Sequence, residues 1–462
     1  MPGMAFTPLP RDSKGLAPRR RMPWPLAALL AAAVAIGGGY ALDAWRGSRA
    51  GAPLDLATIQ PGFGARSFGE AVAQAEITLA SAREGVASRP GEWLREEVLA
   101  RALIARWRLR NDYADLTEAD ALLDAGIARS PDPAGPVLSR AMLSVLVHRL
   151  PQADAALARF ARSVAPDPGE LSDAASLTGD VALQRGELAT AQAQFARSER
   201  FAESLTGSTR SAVLQAQEGN RAEGIRRLEG LLARPRQQPS VLAELMLQRA
   251  NLAYMSGDWG GAGRWIGAAQ RVFRGYWLAD VYAAQQFALA GRTDEAIKAY
   301  MFVANRTARP EVQDALAHLL RLEGRGGESR AWAAKAAAGW ESRARRFPEA
   351  VIHHQAEHEL AVGSATRALA FAQTDAAARP QAPNLVLLAR ALLSAGKPRE
   401  ALAALDRSDA QGWVSAGQAM ARAETLAALG DTAGSEAARA KAEAINPRAA
   451  DPRTRLIWFG HD

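Results

Sequence analysis

"ALAGRTDEAIKAY", Ala288 to Tyr300, holds a helix that ends on a glycine, a short polar break, and a new amphipathic stretch opening with an acidic pair and a small residue. Near-copies recur as "ALQRGELATAQAQF" from Ala182, "AYMSGDWGGAGRWI" from Ala253 and "ALLSAGKPREALAAL" from Ala391. Glycine just past a helix end supplies the left-handed residue that closes the last turn, so each copy reads as two helices joined by a tight reversal. Aligned on their turn glycines, the copies place Gly186, Gly219, Gly257, Gly291, Gly324, Gly363, Gly396 and Gly430 at intervals of 33, 38, 34, 33, 39, 33 and 34 residues. A period this steady marks a repeat array in which one helical hairpin cannot bury its apolar face without the next.

Two columns of small residues sharpen the reading. Seven positions before each glycine stand Gly179, Ala212, Ala250, Ala284, Ala317, Ala356, Ala389 and Ala423. Five positions after it stand Ala191, Gly224, Ala262, Ala296, Ser329, Ala368, Ala401 and Ser435. Small residues in both columns let the two helices of a hairpin cross closely. Upstream, "ARSPDP" ending at Pro133 and "RSVAPDP" ending at Pro168 have the form of helix terminators, which extends the array back toward Ser67 or Glu92.

These columns and the spacing resemble the tetratricopeptide repeat, a pair of antiparallel helices in about 34 residues. The large residue nine after the glycine is kept as Phe195, Leu228, Ile266, Tyr300 and Leu405 but lost as Ala333, Ala372 and Arg439, and in this the chain resembles divergent bacterial members of the family. The resemblance implies an all-α solenoid of about ten hairpins over residues 67–450, wound as a right-handed superhelix with the first (A) helix of each hairpin lining an inner groove. Six positions before each glycine stand Asp180, Val213, Asn251, Gln285, His318, Glu357, Arg390 and Glu424, seven of them polar beside an invariably small neighbour. With Gln184, Tyr254, Arg321 and His353 they form the expected partner-binding lining. The lysine/asparagine/arginine clamp with which some family members hold a C-terminal carboxylate is not reproduced.

Composition agrees with a helical chain. Of 462 residues 48% are hydrophobic and only 6% aromatic, and alanine, the best helix former, is abundant. There is no cysteine, which excludes disulfides, thiolate metal sites and a cysteine nucleophile. The net charge of +7 is scattered in short runs, so no nucleic-acid surface is expected.

"HHQAEHE", His353 to Glu359, contains His354, Glu357 and His358 at the H-x-x-E-H spacing of inverted zinc peptidases, with Glu436 as a conceivable third ligand. A zinc-dependent hydrolase is therefore the rival function. The stretch falls in register as an A helix, however, and such peptidases have a sheet-containing fold, so groove or surface histidines are the simpler reading. "SAGKPRE" lacks the glycine and hydroxyl of a phosphate loop, and no G-x-S-x-G elbow occurs. Neither catalysis, nor a metal, nor a cofactor, nor a small-molecule substrate is expected.

Pro23 to Leu42 is an uncharged, mostly apolar run long enough to cross a bilayer, which takes roughly 20 residues. Arg11, Lys14, Arg19, Arg20 and Arg21 precede it, whereas Arg46 and Arg49 after it are offset by Asp43 and Asp55. The positive-inside bias then predicts a cytoplasmic basic tail (1–22), one inner-membrane span (23–42), a linker (43–66) and a periplasmic solenoid. A cleaved signal peptide is the competing interpretation, and with it a secreted solenoid binding glycans through Trp259, Trp265, Trp277, Trp332 and Trp340. The C-terminal residues 451–462, ending "RLIWFGHD", are expected to cap the solenoid by folding onto its last helix, or else to dock on another protein. Together these readings predict a non-enzymatic, membrane-anchored scaffold for protein or peptide partners in envelope assembly, export or maturation.

Overall fold

A computed structural model describes residues 54–460. The expected span 23–42, the tail before it and most of the linker lie outside the described residues. No described helix is long and apolar enough to cross a membrane.

A leading helix, α1 (Phe68–Ser88), precedes ten helical hairpins. In order they are α2–α3 (Trp93–Arg110, Tyr113–Arg129), α4–α5 (Val137–Leu146, Leu150–Phe160), α6–α7 (Pro168–Gln184, Leu188–Phe201), α8–α9 (Leu205–Gln217, Arg221–Leu232) and α10–α11 (Pro239–Met255, Trp259–Val272). Then follow α12–α13 (Trp277–Leu289, Thr293–Thr307), α14–α15 (Pro310–Leu322, Gly326–Ala344), α16–α17 (Pro348–Val362, Ala365–Ala378), α18–α19 (Ala382–Ser394, Pro398–Asp409) and α20–α21 (Ala416–Ala428, Thr432–Ile445). The described residues form no β-strand; Ser67 and Arg274 make an isolated bridge.

Seven of the eight turn glycines have positive φ, between 72° and 93°, as the reversal requires. Gly363 is the exception at −117°. There Glu359 Oε2 accepts from the Ser364 N–H at 2.8 Å and takes over the closing role. The two upstream hairpins turn without glycine, through Asn111 (φ 57°) and His148 (φ 62°).

Both small columns are buried, and they touch. Ser329 Oγ donates to Ala317 O and Ser435 Oγ to Ala423 O, each at 2.8 Å, so the position after the turn rests on the backbone of the position before it. In α8–α9 the approach is closer still, since a Cβ on Gly224 would lie 2.5 Å from Ala212 O. Phe195 instead fills the space over Gly179, whose added Cβ would meet the ring at 2.5 Å.

Small, constant rotations between hairpins accumulate into a superhelix whose successive turns meet. Asn111 Nδ2 donates to Glu311 Oε1 at 3.2 Å and Arg309 to Leu109 O at 2.8 Å, joining the first hairpin to the seventh. Val414 N–H donates to Gln217 O at 2.8 Å, joining the fourth hairpin to the start of the tenth, again six places on. Asp120, 1% exposed, collects Arg140 and Arg149 from its own turn and Arg346 from the next. At the amino end, Gly62 N–H donates to Gln237 O and Phe68 N–H to Arg274 O, so the described part of the linker lies along the body.

Candidate functional site: the A-helix groove

The polar column divides into three parts. Asp180 is buried in an ion pair with Arg210, and burial pushes its carboxyl up to about 6 against the pull of that arginine. Gln184, also buried, bonds His148 Nδ1 at 2.8 Å. These two side chains serve packing between neighbouring hairpins. At the other end Arg390 and Glu424 are exposed, and Arg321 is exposed beside His318.

The middle of the column is occupied by the chain itself. After α21, Asn446 Nδ2 donates to Tyr254 O at 3.3 Å and Arg448 to Gly257 O at 3.1 Å, and a short 3-10 turn covers Pro452–Leu456. The last residues then cross three consecutive A helices, bending at Phe459 and Gly460, where φ of the glycine is 77°. His318 Nε2 bonds Arg455 O at 2.9 Å. Gln285 Oε1 accepts from the Trp458 and Phe459 N–H groups at 2.7 and 2.8 Å, while its Nε2 donates to Phe459 O at 3.0 Å. Gly460 lies so close to Asn251 that a Cβ there would meet Asn251 Oδ1 at 2.1 Å.

Two rings line the same path. Trp458 lies 5.4 Å from the His318 imidazole, and Phe459 lies 5.8 Å from the Tyr282 ring, centroid to centroid. Tyr282 also donates to Asn251 Oδ1 at 2.8 Å and stacks on Tyr254, whose phenol burial pushes up to about 12. Burial lowers His318 to about 4, so at neutral pH it is an uncharged imidazole that can donate through Nε2. Expectation and structure part here. The tail does not fold onto the last B helix; only Ala449, just before it, joins the core of the tenth hairpin. Superhelical closure brings the fifth to seventh hairpins beneath the chain end, and that closure is invisible to a local pattern. Tyr282 escaped the column, although it sits one helical turn before Gln285 on the same face.

The histidine stretch does not converge. His358 Nδ1 bonds Asp314 at 2.6 Å, and Trp340 Nε1 donates to the other oxygen of that carboxylate at 2.7 Å. His354 stacks on Trp340 at 5.1 Å and bonds Glu357 Oε2 at 3.0 Å. His353 bonds Asp375 at 3.0 Å. The imidazoles thus join neighbouring helices, and no group of three potential ligands forms among the described residues. Nor are the tryptophans open platforms for sugars. Trp259 lies under Arg448 and Arg453, Trp265 under Arg249, Trp277 under Arg309 and Trp332 under Lys335, while Trp340 carries His354.

No protein-family model matches the chain, and no curated protein matches it. Among solved structures it is similar to the APC/C hetero-tetramer Cut9–Hcn1, at 14% identity over 85% of this chain and 84% of that one, with a TM-score of 0.38. It is similar to a Rap protein complexed with competence and sporulation factor, at 11% identity over 68% and 98% of the two chains, TM-score 0.40. A third is the TPR domain of P58(IPK), at 15% identity over 83% and 96%, TM-score 0.26. The described array is a divergent tetratricopeptide-like solenoid on the evidence of its own hairpins, their turns and their two buried small columns.

Proposed function

We propose that the chain is a non-enzymatic adaptor, tethered to the inner membrane through residues 23–42, whose periplasmic hairpin array holds protein partners of envelope assembly, export or maturation. One observation carries the binding role: Gln285 and His318, equivalent positions on successive A helices, already hold the backbone of a polypeptide segment, and Asn251, the next equivalent, lies against its Gly460. The membrane and envelope parts of the reading rest on the apolar run and its flanking charges.

The test is photo-crosslinking in intact cells from Arg390 and Glu424, the exposed members of the column, against Lys335 on a B helix. Capture of a defined protein from the groove positions alone is expected. Capture from Lys335 with none from the groove would refute the assignment. A reporter fused after Asp462 checks the topology, since activity only inside the cytoplasm contradicts a periplasmic array.

A further inference from the structure

The tail is held by contacts of two kinds, and they differ in what they recognise. The three hydrogen bonds at Gln285 and the one at His318 address backbone N–H and C=O groups, which every peptide possesses. The ring contacts at His318 and Tyr282 address two adjacent aromatic side chains, which few peptides present. Gln285 is fully buried with both ends of its amide satisfied by this segment, so its polar atoms are placed for a polypeptide strand.

The segment itself is held differently from the core. Leu456 to Gly460 are all only partly buried. Phe195, Phe273 and Tyr300, by contrast, are among the large side chains that are fully buried. Residues 446–453 are tied separately, through Asn446, Arg448 and Arg453, which donates to Leu289 O at 3.3 Å. The last residues and the strap before them thus have separate attachments.

We infer that the groove formed by Asn251, Tyr282, Gln285 and His318 is a binding site for a protein segment carrying two adjacent aromatic residues, and that Leu456–Gly460 occupies it as a displaceable internal ligand. This rests on the reading of the array as a binder and names both its ligand class and its regulation. A partner segment of the same chemistry binds by expelling the tail. Because the tail is tethered, it competes at an effective concentration of roughly millimolar, so a tail of about 10–100 µM intrinsic affinity holds off a competing peptide by a factor of about ten to a hundred.

The probe is a labelled synthetic peptide spanning Arg453–Asp462, added to the full-length chain in detergent. Trp458→Ala with Phe459→Ala in the chain should let the peptide bind at least tenfold more tightly than it binds the unaltered chain. Adding Gln285→Ala should abolish the gain, and a peptide with both aromatics replaced by alanine should not bind. A variant that keeps its helical circular dichroism and cooperative melting yet binds the peptide no better than the unaltered chain overturns the inference. Should the double variant fail to fold, a protease site between Ala450 and Asp451 in the otherwise unaltered chain takes its place. Release of the cut end by excess peptide supports displacement, and retention until global melting shows a structural closure instead. Peptide binding without partner capture at Arg390 would sink the adaptor role and leave the groove standing; partner capture without peptide binding would do the reverse.

Discussion

A methyl group added at Gly224 would come 2.5 Å from the carbonyl oxygen of Ala212, a backbone atom that cannot swing aside. Gly224→Ala is therefore expected to destabilise the fold by about 1–3 kcal/mol, the usual cost of overpacking, less up to about 1 kcal/mol regained in helix propensity. Gly230 on the same helix has nothing within 4 Å of its added Cβ, so Gly230→Ala should be neutral or stabilising. Thermal melting of the two variants side by side checks the contrast. Close contacts of this kind were legible because a backbone crossing admits few residue types, and the same small residues return with every hairpin. The turns at Asn111 and His148 were not legible, because a left-handed residue is usually but not necessarily glycine. At Gly363 the opposite happened: the glycine is present, but Glu359 closes the turn, and the left-handed conformation is absent.

Between elements, the tie of α14 to α16 through Asp314 and His358 replaces the metal motif that the spacing of His354, Glu357 and His358 imitates. Burial works against a charged His358, yet the hydrogen bond and charge of Asp314, aided by Glu359, outweigh it and raise the imidazole above its ordinary value of 6.5. A group raised on folding contributes stability that is complete below its unfolded pKa and is lost as pH climbs through the folded one. Between pH 6 and pH 9 the parent should therefore lose more melting temperature, or gain less, than His358→Gln does, His148 and His318, which burial lowers, pulling both proteins equally the other way. An equal change in both proteins would show that this pair does not control the effect. Asp314 stands 44 residues before His358, on the preceding A helix. Helical periodicity could place both on A helices but could not pair them, because pairing depends on the angle between adjacent hairpins.

For the whole molecule, the deciding quantity is rotation summed over six hairpins, and no residue spacing specifies it. Asp120 shows what that sum produces: a buried carboxylate between Arg140 and Arg149 of one turn and Arg346 of the next. Asp120→Ala leaves two largely buried guanidiniums short of counter-charge. It should cost about 3 kcal/mol, toward the lower end for breaking a buried pair, because Asp124 and Glu349 partly compensate; urea denaturation measures it. The same summed rotation carries the chain end onto the fifth to seventh hairpins, so the groove was readable as a column of polar residues while its occupant was not. Since the chain has no cysteine, the placement can be trapped cleanly by pairing Asn251→Cys with Gly460→Cys. Mild oxidation should form an intramolecular disulfide rapidly, slowed by excess Arg453–Asp462 peptide, whereas Glu424→Cys with Gly460→Cys should not close. Absence of the first bond, or equal yield from both pairs, would contradict a tail seated in the A-helix groove.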